Sequence, residues 1–233
     1  MPARSQTDRA DPGSLGGLNG GGIAADAEPM SRAAWILLAT ALALALPGAA
    51  SAGSRREAPR PALIERGLAA YAAARAEGRI RNPTLTLIDY ALPSSERRLF
   101  VLEPDSQRVV FREFVAHGRG STDPQRPERA VRFGNEVGSL RSSLGAFLTG
   151  EPYDGMHGYS LRLEGLEPGL NDRAEERRIV IHPADYVSRA FRLESGGRLG
   201  RSFGCPALDP VVAPRIIERI RSGSLLYAGG PSS

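Results

Sequence analysis

The chain has 233 residues, enough for one domain of ordinary size or for one domain with a tail. With 41% apolar and 24% charged residues it is neither a disordered nor a collagenous sequence. All 30 basic residues are arginine, the net charge is only +4 and no basic run stands out, which argues against a nucleic-acid partner; the single cysteine, Cys205, excludes an internal disulfide framework.

Residues 1–29 are rich in Gly and Asp and show no apolar periodicity, as expected of a disordered extension or of a start codon assigned too far upstream. Residues 30–52 have the three regions of a secretory signal peptide. Met30-Ser31-Arg32 precedes an almost wholly apolar run at 33–46, Pro47-Gly48 breaks it, and Ala50-Ser51-Ala52 fits a small-x-small cleavage rule. The run is shorter than the roughly 20 residues a bilayer requires, and no Cys stands beside the cleavage point to carry a lipid. The expectation is cleavage after Ala52, a periplasmic or secreted protein, and no membrane span afterwards.

Residues 53–83 read as a polar linker followed by a helix, in which Ile64, Leu68, Tyr71 and Ala72 recur at helical offsets and Gly78 ends the pattern. From residue 84 to 233 the pattern is that of a single, strand-dominated domain. Thr84 to Leu87 alternates, and 99–102 and 109–115 are further strands split by a turn at Pro104-Asp105-Ser106. Residues 118–142 form a long loop, a feature that is often functional in compact domains. A short apolar segment follows at 144–148, Tyr159, Leu161 and Leu163 alternate with Ser160 and Arg162 as another strand, and a buried strand at 178–181 delivers His182 at its end. Residues 192–206 are a Gly- and Arg-rich loop. A helix near 212–220 has Pro214 in its first turn, and a last strand covers 225–227. The predicted fold class is mainly β, a mixed β-sandwich with a few flanking helices.

Several side chains carry candidate chemistry. Gly200-Arg201-Ser202-Phe203-Gly204 has the G-x-S-x-G form of a nucleophile elbow, but no His follows it and no strand precedes it, so a serine hydrolase is rejected. No His spacing demands a metal, although His182, Asp185 and His157 form a minor alternative. Cys205 with His182 is the better pair: a thiol is a strong nucleophile once deprotonated, and a nearby His takes and returns its proton. Arg198 and Arg201 are expected to lower the thiol pKa, and Gly204 to let backbone amides approach an oxyanion.

Ile181-His182 followed by Gly197-Arg198-Leu199-Gly200-Arg201-Ser202-Phe203-Gly204-Cys205-Pro206 resembles the murein L,D-transpeptidase catalytic-domain family, in its branch with an aromatic residue two before the Cys. Agreement continues upstream through Asp89-Tyr90, Pro93-Ser94-Ser95, Val115-Ala116-His117-Gly118, Ser142-Ser143-Leu144-Gly145, His157-Gly158-Tyr159-Ser160-Leu161 and Gly165-Leu166-Glu167. The resemblance implies a mixed, mainly β sandwich whose Cys faces a groove, with peptidoglycan stem peptides as substrate. In those terms Cys205 attacks the third stem residue and releases D-Ala, His182 is base and acid, Ser202 orients the site and Gly204 contributes to the oxyanion hole.

The chain departs from the common pattern at Phe203, where His is usual, at Pro183, where Gly is usual, and after the Cys, where Pro206-Ala207-Leu208 replaces an Arg or Asn that binds substrate. Arg198 or Arg201 is expected to supply the lost cation through a bidentate carboxylate pair. His157 is read either as lining the groove or as a structural histidine, and His117 as structural. No cofactor is implied, and a monomer is expected. Competing readings are an L,D-carboxypeptidase with the same Cys and His, a non-catalytic cell-wall-binding module, and a sortase-like set of His157, Cys205 and Arg215.

Overall fold

Pro61 stands in the first turn of α1 (Pro61–Ala76), where its missing N–H costs no hydrogen bond. The computed structural model describes residues 58–232; the extension at 1–29 and the signal segment at 30–52 lie outside the described residues. The buried face of α1 is Leu63, Gly67, Tyr71 and Ala74. That is rotated from the predicted face: Ile64 and Leu68 are only partly buried and Ala72 is exposed. Gly67 is the reason. A Cβ there would lie 2.4 Å from Leu87 Cδ2, so the helix meets the sheet most closely at a residue a hydropathy pattern does not register.

Nine strands follow among the described residues: β1 (Leu85–Asp89), β2 (Leu99–Leu102), β3 (Val109–Glu113), β4 (Val115–Ala116), β5 (Gly145–Gly155), β6 (Gly158–Gly165), β7 (Val180–Pro183), β8 (Ala207–Leu208) and β9 (Leu225–Gly229). Their spatial order is β3-β2-β1-β9-β5-β6-β7-β8-β4. The β1–β9 and β7–β8 pairs are parallel and the others antiparallel, so the sheet is mixed. Both faces of its centre are covered, which explains the near-continuous apolar runs of β2 and β9 and the burial of every residue of β1, Thr86 and Asp89 included. Leu85, Leu87, Phe100, Leu102 and Leu225 face α1. Ile88, Leu99, Val101 and Leu226 point the other way, into a core shared with Ile181, Leu208 and the apolar face of α3 (Ala213–Ile220).

The predicted strand at 109–115 is two strands. β3 pairs with β2 and β4 pairs with β8, at opposite ends of the strand order, so the sheet curls and its two ends are joined through Phe114 alone. Phe114 leaves the ladder to pack against the small cluster of Ala116, Ala184, Val187, Leu199 and Ala207. The short apolar segment near 144–148 is the first half of β5, which runs on to Gly155 past a register shift between Thr149 and Pro152. Proline in a strand interior is tolerated at such an irregularity. The β5–β6 hairpin turns at Met156-His157, where Gly155 opposes Gly158. The predicted loop from 192 begins instead inside α2 (Arg189–Glu194), capped by Ser188, whose hydroxyl accepts from the Phe191 amide. Among the described residues no helix is long and apolar enough to cross a membrane.

Candidate active site

His182 sits in β7 directly opposite Ala207 of β8, and Cys205 ends the loop two residues before Ala207. The parallel β7–β8 pairing is thus what brings two residues 23 positions apart in sequence to one place. Cys205, His182, His157, Ser202 and Arg201 all line one groove of about 530 Å³. Arg198 does not line it; its Nε donates to the Ser195 carbonyl on the exposed side of the loop. Met156, Tyr186 and the Phe203 side chain do line it, and none of the three is a sequence candidate. The β5–β6 turn carries Met156 and His157 to the rim, a placement that depends on a hairpin geometry with no local motif.

The loop around the thiol is fixed by buried hydrogen bonds. Ser202 Oγ donates to the Cys205 carbonyl at 2.6 Å and accepts from the Gly204 amide at 3.2 Å. Ser142 Oγ donates to the Gly204 carbonyl at 3.2 Å and accepts from the Gly118 amide at 3.0 Å, so the long loop at 118–142 clamps the cysteine loop from its other side. Gly204 has φ of +127°, a backbone region other residues avoid, and a Cβ on it would come within 2.8 Å of the Arg141 carbonyl oxygen. Its amide donates to Ser202 Oγ, and its conformation shapes the turn that presents Cys205.

His182 is buried, and its Nδ1 lies 2.8 Å from the Pro183 carbonyl. A carbonyl only accepts, so Nδ1 carries the proton and Nε2 keeps its lone pair. The His157 ring stacks on His182 with centroids 4.6 Å apart and planes 28° apart. Burial, above all, pushes the His182 pKa down, the Pro183 carbonyl works against this, and His157 lowers it further.

The Cys205 thiol lies 3.6 Å from the Arg178 carbonyl. Burial pushes its pKa up, against the pull of the Val180 amide, the Arg177 guanidinium and its own amide. This corrects the expectation that Arg198 and Arg201 depress the thiol. The cation that acts on it is Arg177, and desolvation outweighs that charge. Arg177 donates to the Gly134 and Arg141 carbonyls and to the Ser143 hydroxyl at 2.8, 2.6 and 2.5 Å, so it also ties the 118–142 loop to the site. Its position 28 residues before Cys205, outside any motif, hid it from the sequence.

Arg201 is heavily engaged. Its guanidinium donates to the Leu199 and Gly200 carbonyls at 2.5 and 2.8 Å, to Thr122 Oγ1 at 3.2 Å and to the Pro127 carbonyl. Thr122 continues into His117 and Arg98: Arg98 Nη2 lies 2.8 Å from His117 Nδ1 and Thr122 Oγ1 3.3 Å from Nε2. Arg98 can only donate, so His117 is the neutral tautomer with its proton on Nε2. Burial first, and then Arg98 and Arg201, push the His117 pKa down to about 2. His117 is therefore a structural member of the network that holds Arg201, away from the groove lining. Among the described residues no group of His, Cys, Asp and Glu side chains is placed to hold a metal ion, so His182, Asp185 and His157 share the groove without forming such a group. Arg215 stacks on Phe111, 5.6 Å from its centroid, at a different cavity from Cys205, which removes the sortase-like set.

A family profile described as the L,D-transpeptidase catalytic domain matches residues 56–228. The chain belongs to this family. Solved structures, several of them named as L,D-transpeptidases, resemble it at low identity. One from Mycobacterium smegmatis is 14% identical over 63% of this chain and 58% of that one, with a TM-score of 0.36. One from Xylanimonas cellulosilytica is 17% identical over 68% of each chain, also with a TM-score of 0.36. The helical cell shape determining protein Pgp2 of Campylobacter jejuni is 15% identical over 64% of this chain and 47% of that one, with a TM-score of 0.42. The chain thus matches about half of the length of several of these proteins. No functionally curated protein matches it. Within the L,D-transpeptidase family match lie β7, the cysteine loop and β8, the elements that carry the groove.

Proposed function

We propose that this chain is an exported L,D-transpeptidase that joins peptidoglycan stem peptides by 3→3 cross-links through a Cys205 thioester. The observation that carries the reading is that Cys205 and a His182 whose Nδ1 is fixed on the Pro183 carbonyl line one groove of an L,D-transpeptidase catalytic domain. With its pKa raised, the resting thiol is neutral; with its pKa lowered, His182 is a neutral base. The proton leaves the sulfur as attack begins and passes to His182 Nε2.

The sulfur adds to the carbonyl carbon of the third residue of the donor stem. The carbonyl electrons move to oxygen, and the oxyanion is assigned to the amide of Cys205, which lies beside its own sulfur, since that of Gly204 is occupied by Ser202. Collapse breaks the bond to the terminal D-Ala, whose nitrogen takes the proton from His182. An amine of a second stem then attacks the thioester, gives its proton to His182 and releases the thiol. Arg201 has four of its five N–H groups engaged, so it offers the stem carboxylate a single hydrogen bond and not a bidentate fork. Residues 30–52 direct export, with cleavage after Ala52, and the enzyme works as a monomer without metal or cofactor.

The test incubates the purified chain and a Cys205→Ala variant with disaccharide-tetrapeptide fragments and weighs the products. A dimer lighter than two substrates by one D-Ala, absent with the variant, is expected. Tripeptide alone would make the chain an L,D-carboxypeptidase, and no Cys205-dependent product would return it to a wall-binding module.

A further inference from the structure

A second cavity, of about 280 Å³, is lined by Ser95, Glu96, Arg97, Arg112, Phe114 and Arg192 and shares no lining residue with the groove of Cys205. Three guanidinium groups meet there from three separate segments: Arg97 just ahead of β2, Arg112 on β3 at the end of the strand order, and Arg192 in α2. Phe114, the residue that leaves the ladder between β3 and β4, is the platform for two of them. Arg192 lies over its ring at 4.0 Å from the centroid and Arg97 at 5.5 Å, while Arg112 lies over Phe100 at 6.0 Å. Stacking uses the flat faces of the guanidiniums and leaves their N–H edges for a ligand.

Those edges donate to no acceptor within hydrogen-bond distance among the described residues. Among the described residues, none of the three arginines forms an ion pair, and Nε of Arg112 and Nε of Arg192 are buried without an acceptor. Glu113, half-buried beside the cavity, attracts Arg97 and Arg192 without coming within ion-pair distance of either, and Glu96 on the lining pairs with none of the three. Arg98 shows the contrast: its guanidinium is taken up by the Leu92 and Val115 carbonyls and by His117. Two buried Nε groups without acceptors carry unmet desolvation, and an anion in the cavity would meet them with hydrogen bonds.

We propose that this cavity binds a phosphate group. A carboxylate is planar and is satisfied by one guanidinium fork. A tetrahedral phosphate offers oxygens in three directions and up to two negative charges, which suits donors arriving from three segments. The same chemistry is offered by free phosphate and by the headgroup of an anionic phospholipid.

The full-length chain is titrated with inorganic phosphate in a calorimeter, at ionic strength held constant with chloride. Saturable binding at one site is expected, with Kd at least tenfold weaker in Arg192→Gln and in Arg97→Gln and unchanged in Arg66→Gln, an exposed position on α1. Thermal melts in phosphate-free buffer verify that all variants are folded. Cosedimentation with phosphatidylglycerol vesicles identifies the source. Vesicle binding that phosphate displaces and that both cavity variants lose assigns the headgroup; phosphate binding without vesicle binding assigns a soluble phosphate. No saturable phosphate binding, or equal affinity in wild type and both cavity variants, overturns the proposal.

Discussion

The imidazole of His157, at the tip of the β5–β6 hairpin, stacks on that of His182 in β7 at 4.6 Å between ring centroids. An exposed residue on a turn thereby shields the general base proposed for the reaction. Burial and this neighbour both hold the His182 pKa below the ordinary histidine value, so the base stays unprotonated into mildly acidic solution. In wild type the acidic limb of kcat/KM should lie below the usual pH of about 6.5 for histidine. His157→Ala removes a repulsive neighbour and admits water, both of which raise the His182 pKa. The limb should move to higher pH, and kcat/KM at neutral pH should fall roughly tenfold as the ring loses its support. A limb that stays in place would separate the stack from the base.

The thiol gives the opposite sign. Burial raises the Cys205 pKa, so the reactive thiolate is scarce at neutral pH. Alkylation by iodoacetamide should be slow at pH 7 and accelerate with an inflection above the ordinary cysteine value of about 8.5. Arg177→Gln removes a charge that favours the thiolate and should push the inflection higher still. An inflection near or below pH 7 in wild type would mean a preformed thiolate, and a mechanism in which His182 does not remove the proton.

Ser202 joins the carbonyl of Cys205 to the amide of Gly204 and is 4% exposed. Ser202→Ala leaves both groups without that partner and should cost about 2 kcal/mol of stability. Urea denaturation measures it, and an unchanged midpoint would contradict the clamp. Gly204→Ala should be worse, because a Cβ at that positive φ meets the Arg141 carbonyl.

His117 should govern acid stability. Its folded pKa, about 2, is far below its unfolded value, so on acidification the unfolded chain binds a proton that the native chain refuses. Stability is retained above about pH 6.5 and lost as pH falls below it, with a limiting slope from this group of about 1.4 kcal/mol per pH unit. In His117→Asn, which keeps an acceptor for Arg98, the urea midpoint should fall less between pH 7 and pH 4. An equal fall in both proteins would place the acid sensitivity elsewhere.

Much of the fold was legible because short-range signals carry it. The strands β1 and β6, the Pro214 start of α3 and the apolar stretch of β9 all appear as expected, although both faces of β1 are buried rather than one. What was hidden depends on long-range packing. The buried face of α1 is centred on Gly67, whose contact with Leu87 no hydropathy pattern records. The break at Phe114 follows from β3 and β4 pairing with different partners. At the site, Cys205 and His182 stand out as residue types with a shared chemistry, whereas Arg177 is one of 30 arginines in the sequence and gains meaning only from its position beside the thiol. Arg198 was singled out for proximity in sequence, and the loop turns its side chain away from the groove.

The most direct measurement of the central claim is the intact mass of the protein after brief mixing with a tetrapeptide stem fragment and acid quenching. Wild type should gain the mass of the fragment less one D-Ala, on a peptide containing Cys205, and His182→Ala should gain it at least a hundredfold more slowly. Cross-linked or trimmed product formed by wild type with no such adduct, or an adduct that persists in Cys205→Ala, would contradict acyl transfer through this thiol.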